Sequence, residues 1–131
     1  MDAQQKNNLA NDWIEYTNLS IELGLTNPKV ESLSSSSEAL NDLIQTSPEL
    51  ALEIILRILE LDQTPQIIGN LSAGPLEDFL VYNGEKYIDE IQQIAMRNQK
   101  FAKLLGGVWQ NQISNTVWVK IQSVSDRSGL D

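Results

Sequence analysis

The sequence predicts an all-α fold: a single compact domain of about six to eight short helices in an irregular antiparallel or orthogonal bundle with solenoid-like helix pairs. Three observations carry this. Apolar residues recur at helical steps of three, four and seven along most of the chain. Entry signals of the Ser-Pro, Thr-Pro and Asn-Gln type punctuate it at Ser47, Thr64 and Asn98. The chain is 131 residues long and 41% hydrophobic, which suits one domain and a real core. Short loops imply antiparallel neighbours, and the lack of a fixed period argues against a regular solenoid.

The first helix reads from Lys6 to Leu23 on the stripe Leu9, Trp13, Tyr16 and Leu23, with Gly24 as its stop. Asn27-Pro28 opens a short turn as cap and first helical position. The Ser34–Ser37 run reads as loop plus capping box, Ser35 lying three residues before Glu38 and ahead of Ala39, Leu40, Leu43 and Ile44. Ser47-Pro48 then starts the strongest helix, Glu49 to about Asp62. Its polar residues Glu49, Glu53, Arg57 and Glu60 occupy one narrow stripe and the rest is apolar, so it should be the central helix. Glu53 and Arg57 stand in the favourable i,i+4 order.

Thr64-Pro65 starts a short helix through Ile67, Ile68 and Leu71, which Ser72-Ala73-Gly74-Pro75 should break, because proline disfavours helical geometry at the residue before it. Pro75 would then open a new helix carrying Leu76, Phe79 and Leu80, and Asn83-Gly84 would end it. Two more follow. One runs from Glu85 to about Arg97; the other is capped by Asn98, with Phe101, Leu104, Leu105 and Val108 inward and Gly106-Gly107 weakening its end. Residues 115–122 fit either a helix or a strand. A lone strand would have no partner, so a helix capped by Ser114 or Asn115 is expected. The domain is expected to span residues 1–124, with 125–131 as a frayed tail.

Composition excludes several chemistries. With no His and no Cys, the chain lacks thiol and imidazole nucleophiles, histidine bases, thiolate zinc sites and disulfides. No catalytic residue, cofactor motif or metal-ligand set is identified. The Asn70–Gly74 stretch only imitates a nucleophile elbow, lacking its first glycine, a preceding strand and a histidine. The formal charge of −9 is concentrated: residues 1–64 hold eleven carboxylates against Lys6, Lys29 and Arg57, a balance of −8. Such a surface repels phosphate backbones, so no nucleic acid is expected as a partner. It suits a basic protein partner or serves solubility. Arg97, Lys100 and Lys103 form the one basic cluster, read as pairing with carboxylates of a neighbouring helix. No segment is apolar enough to span a membrane and no leader is visible, so a cytoplasmic location is expected.

The most distinctive stretch is Gly74-Pro75-Leu76-Glu77-Asp78. With Pro75 in the first helical position, Glu77 reads as an N-terminal cap complementing the helix dipole, and as a binding or catalytic carboxylate in the alternative. Successive helical side chains diverge by about 100°, so Glu77 and Asp78 are not expected to converge on one ligand. Trp109 follows an inward Val108 near a helix end, where partial exposure is expected.

The order of Ala10-x-x-Trp13, Ser47-Pro48-Glu49-x-Ala51, the Leu71–Leu80 stretch, Ile88-Asp89-x-Ile91 and Phe101 through Val108-Trp109 resembles a bacterial family of uncharacterised small helical domains. That family is marked by a Gly-Pro-Leu-Glu-Asp box and a late tryptophan. The resemblance covers roughly Leu9 to Ile121 and implies an all-helical fold, with Gly74, Pro75, Leu76, Glu77, Asp78 and Trp109 as the residues of interest; it implies no activity. The functional expectation is a noncatalytic protein-interaction module with an acidic N-terminal half. One alternative is an immunity or antitoxin-type protein that neutralises a basic toxin. The other is a carboxylate-based ligand-binding or enzymatic domain.

Overall fold

The computed structural model describes residues 1–128. In chain order the helices are α1 (Ala3–Leu23), α2 (Pro28–Glu31), α3 (Ser35–Thr46), α4 (Pro48–Leu61), α5 (Pro65–Leu71), a π turn (Ser72–Leu76), α6 (Glu77–Arg97), α7 (Gln99–Gly106) and α8 (Asn115–Val124). No strand occurs among the described residues, so the all-α expectation holds and residues 115–122 are helical. Ser114 caps α8 by accepting from Val117 N–H.

The apolar girth of α4 places it at the centre. Ala51, Leu52, Ile54, Ile55, Ile58 and Leu59 are all buried, and α1, α3, α6 and α7 pack around it. Its polar stripe is tied outward to α1: Lys6 and Arg57 both pair with Glu53, at 2.9 and 3.4 Å, and Arg57 donates to Asn7 at 2.6 Å. The Lys6 ammonium and the Arg57 guanidinium hold the Glu53 carboxyl below its ordinary pKa. Two of the three cations in residues 1–64 are therefore occupied at one carboxylate.

Several helix boundaries form by other means than those read from the sequence. α1 starts earlier than Lys6, because Asp2 and Gln5 make a reciprocal capping box. It ends as expected at Gly24, whose φ of 86° lies in the left-handed region. Leu23, expected inward, is exposed. The Ser35–Glu38 capping box does not form. The chain enters α3 already helical, and the hydroxyls of Ser34 and Ser36 bond back to the carbonyls of Glu31 and Leu33. Ser47 makes no side-chain cap; its N–H closes α3 on Leu43 and its carbonyl opens α4 by accepting from Ala51. Thr64 makes no side-chain cap either; Asp62 accepts from both its N–H and its hydroxyl and fixes the turn into α5.

The largest correction concerns residues 72–84. Ser72-Ala73-Gly74-Pro75 does not break the helix. The chain passes from α5 to α6 through a π turn, with Ser72 and Glu77 both helical and Glu77 N–H donating to the carbonyl of Ser72. In a straight α-helix Pro75 would leave the Leu71 carbonyl without a donor and press its ring against it; the wider turn relieves both. Nor does Asn83-Gly84 end α6, which continues to Arg97. Asn83 instead donates to the carbonyl of Ile44 at 2.8 Å, satisfying a group left open at the end of α3. Gly84 admits α8: a Cβ there would lie 3.0 Å from Val117.

Beyond Val124 the chain meets α7 at Asp126. Asp126 N–H donates to the carbonyl of Ala102 at 2.9 Å, and Gln99 donates to the Asp126 carboxylate at 2.7 Å. Gly106 is the receiving surface, since a Cβ there would meet the Asp126 carbonyl oxygen at 1.9 Å. Residues 129–131, the rest of the expected tail, lie outside the described residues.

Candidate functional site

The π turn sets the position of the Gly74–Asp78 box. Pro75 and Leu76 are buried and anchor it, while Ser72, also buried, donates to the carbonyl of Leu104 near the end of α7 at 2.7 Å. This bond fixes the π turn against α7. Gly107 continues the contact, since a Cβ on it would lie 2.9 Å from the Ser72 hydroxyl. From Gly107 the chain runs across to α8, and Asn111 donates to the Glu77 carboxylate on the way. Gln110 closes the same loop by donating to the Ile113 carbonyl and the Asn115 side chain.

Trp109 lies between these two attachments, Gly107 on Ser72 and Asn111 on Glu77. It is 68% exposed, whereas Trp13 is buried and Trp118 is packed against the core. Two residues of chain span at most about 7 Å, so Trp109 is held near the box by its own backbone. The structure therefore brings together Gly74–Asp78 and Trp109, residues more than thirty positions apart. Asn111 has a φ of 40°, the one non-glycine positive value among the described residues. Asparagine tolerates this region better than most residues, and here its conformation carries the side chain to Glu77.

Glu77 is not the helix cap read from the sequence. Leu76, the residue before α6, is itself helical and makes no side-chain cap, and Glu77 N–H is already bonded. The N–H groups that a carboxylate would have served are occupied by the π turn. Glu77 and Asp78, which helical geometry separates, both line one groove of about 440 Å³, together with Val81, Asn111 and Gln112. Asn111 and Gln112 carry no distinguishing signal in the sequence. The Asn-Gln pairs of this stretch resemble any polar loop, and only the contact with Glu77 distinguishes one of them.

Burial, and secondarily the charge on Glu77, raise the Asp78 carboxyl above its ordinary pKa even though the side chain keeps contact with solvent. The folded protein then binds this proton more tightly than the unfolded chain. Stability contributed by Asp78 consequently falls as pH rises from the ordinary Asp range through the raised value, and the penalty is complete at neutral pH. Asp78→Asn is expected to unfold at a slightly higher temperature than the parent at pH 7. Thermal melts in an acidic series should show that difference shrinking as the pH falls through the raised value and gone below the ordinary carboxylate range of about 4.

The basic cluster divides among separate partners. Lys100 pairs with Glu60 at 3.4 Å, Arg97 donates to the Gln93 carbonyl, and Lys103 has the Asp126 carboxylate in its surroundings. Among the described residues, no group of three or more acidic side chains is arranged to hold a metal ion, and no helix is long and apolar enough to cross a membrane.

Comparison with known proteins returned no match among curated proteins and none among solved structures. Residues 26–129 match a family described only as being of unknown function, DUF6869. The matched stretch contains the box, the loop and Trp109; it begins after α1, so Ala10-x-x-Trp13 lies ahead of it. Covering most of the sequence, the match shows that this chain belongs to the DUF6869 family of unknown function.

Proposed function

We propose that the chain is a noncatalytic protein-interaction module whose recognition surface is the Trp109 loop laid against the Gly74–Asp78 box. The observation that carries this reading is a 68% exposed tryptophan on a loop attached on both sides. Exposing an indole forgoes its burial energy, and a tethered loop loses little entropy on binding. Central aromatic anchors of this kind carry much of the energy of protein interfaces. The neighbouring carboxylates Glu77 and Asp78 and the −8 balance of residues 1–64 favour a basic partner.

A sharper form of this reading is an immunity or antitoxin-type protein that masks a basic toxin. It is supported by the uneven charge, with eleven carboxylates against three cations in residues 1–64. The test is affinity capture from the source cells, comparing the parent with Trp109→Ala. Recovery of a basic partner whose affinity falls at least tenfold in the variant, and falls with added salt, is the expected result. A partner held equally by both forms, or no partner, overturns it. Circular dichroism checks that the exposed substitution leaves the fold intact.

A second reading, a carboxylate-based ligand site, is favoured by the placement of Glu77 and Asp78 on one groove. It predicts that small cationic fragments shift the amide resonances of Asn111 and Gln112, and that Asp78→Asn removes the shifts. Retained shifts in the variant would reject it.

A further inference from the structure

A different face of the molecule pairs a groove with a projection of matching chemistry. The groove, of about 390 Å³, lies between α4, α5 and α7 and is lined by Leu59, Gln63, Pro65, Ile68, Lys100 and Lys103. The Gln63 amide is held by the carbonyls of Leu59 and Glu60, so the groove offers an apolar floor between Lys100, which pairs with Glu60 at its rim, and the exposed Lys103 ammonium. Four other grooves on the described surface each carry a carboxylate, among them Glu53, Glu85, Glu49 and Glu77; this one carries none. In a chain of charge −9 it is a basic-lipped apolar cleft fit for an acidic segment with aliphatic side chains.

The chain itself presents such a segment. At the end of α1 and the turn after it, Ile21 is 52% exposed and Leu25 66%, with Leu23 and Glu22 also exposed between them. Three exposed aliphatic residues within five positions make this helix end a more apolar projection than the scattered singles normal on a surface. The projection and the groove are neighbours. Asn18 accepts from Gln66 at 2.5 Å, Gln66 adjoins Pro65 of the groove, and Ile21 lies about 4.5 Å of helical rise beyond Asn18. A projection beside its complementary cleft is the arrangement that a two-fold axis satisfies twice, each copy's projection entering the other's cleft.

We infer that this chain forms a two-fold dimer in which residues 21–25 of one copy occupy the Leu59–Pro65–Ile68 cleft of the other and Glu22 pairs with Lys103. The interface shares no residue with the Trp109 site, so either can fail alone. The net charge opposes association at a distance, but at about 0.15 M salt that repulsion is screened beyond roughly 8 Å, whereas contact pairs persist.

Sedimentation velocity over a micromolar-to-millimolar series at physiological salt tests this with the parent, Glu22→Lys, Lys103→Glu and an equimolar mixture of the two variants. The parent is expected to dimerise with concentration. Each variant alone should associate at least tenfold more weakly, because both of its charge contacts become repulsive. The mixture should recover parental association, since every contact is again between opposite charges. A parent that stays monomeric overturns the inference, as does a dimer indifferent to either charge reversal. Single variants that dissociate without rescue on mixing overturn it too. Both substitutions lie at exposed positions, and circular dichroism confirms that the variants fold.

Discussion

Phe79→Ala is expected to cost about 3–5 kcal/mol of unfolding free energy, the range for removing a buried aromatic ring. Phe79 is fully buried and meets Tyr87, two turns along α6, edge to face at 5.5 Å between ring centres. Around it the core is closed by Leu76 and Leu80 of the same helical run, so its truncation leaves a cavity rather than a surface dent. Urea unfolding of the parent and the variant checks the figure, and a loss below about 1 kcal/mol would contradict the packing described. Phe79→Leu keeps much of the volume and should cost clearly less. The residue matters for the site as well. It directly follows Glu77 and Asp78, and its burial fixes the rotation of α6 that turns both carboxylates toward the 111–112 loop.

Gly106→Ala is expected to cost about 2–3 kcal/mol, although alanine is the better helix former by about 1 kcal/mol. The reason is contact with backbone: the added Cβ would stand 1.9 Å from the carbonyl oxygen of Asp126 and 2.7 Å from its carbon. Rotating a side chain cannot relieve this, so residues 125–128 must leave α7. The bonds from Asp126 N–H to Ala102 and from Gln99 to Asp126 leave with them. Hydrogen exchange gives the specific readout, with the Asp126 amide losing protection in the variant while the α4 core amides retain theirs. Melting that is unchanged, with Asp126 still protected, would show that the tail does not depend on Gly106.

Features governed by local periodicity were legible in the sequence. The all-apolar girth of α4 announced the centre of the bundle, and the Gly24, Asn27 and Asn98 signals mark real helix ends. Illegible were the places where a residue that usually ends a helix serves another helix instead. Asn83 and Gly84 resemble a stop, yet one satisfies a carbonyl of α3 and the other makes room for Val117. The serines at 34–36 resemble a cap, yet their helix begins from a chain already turning. Pro75 reads as a break because the sequence cannot announce the π turn that accommodates it.

The candidate site divides the same way. The Gly74–Asp78 box and Trp109 stand out as residues, and exposure of Trp109 follows from its place at a helix end. Their proximity does not, for it depends on Ser72 holding the end of α7 and on Asn111 reaching Glu77. Helical class, the central helix and the uneven charge belong to the sequence alone, because periodicity and composition act within a few residues. Which helix ends are real, whether Glu77 caps or lines a groove, and where the tail rests were decided only by tertiary structure. Those outcomes turn on whether a backbone N–H, a carbonyl or a missing Cβ meets a group distant in the chain, and local pattern carries no record of that meeting.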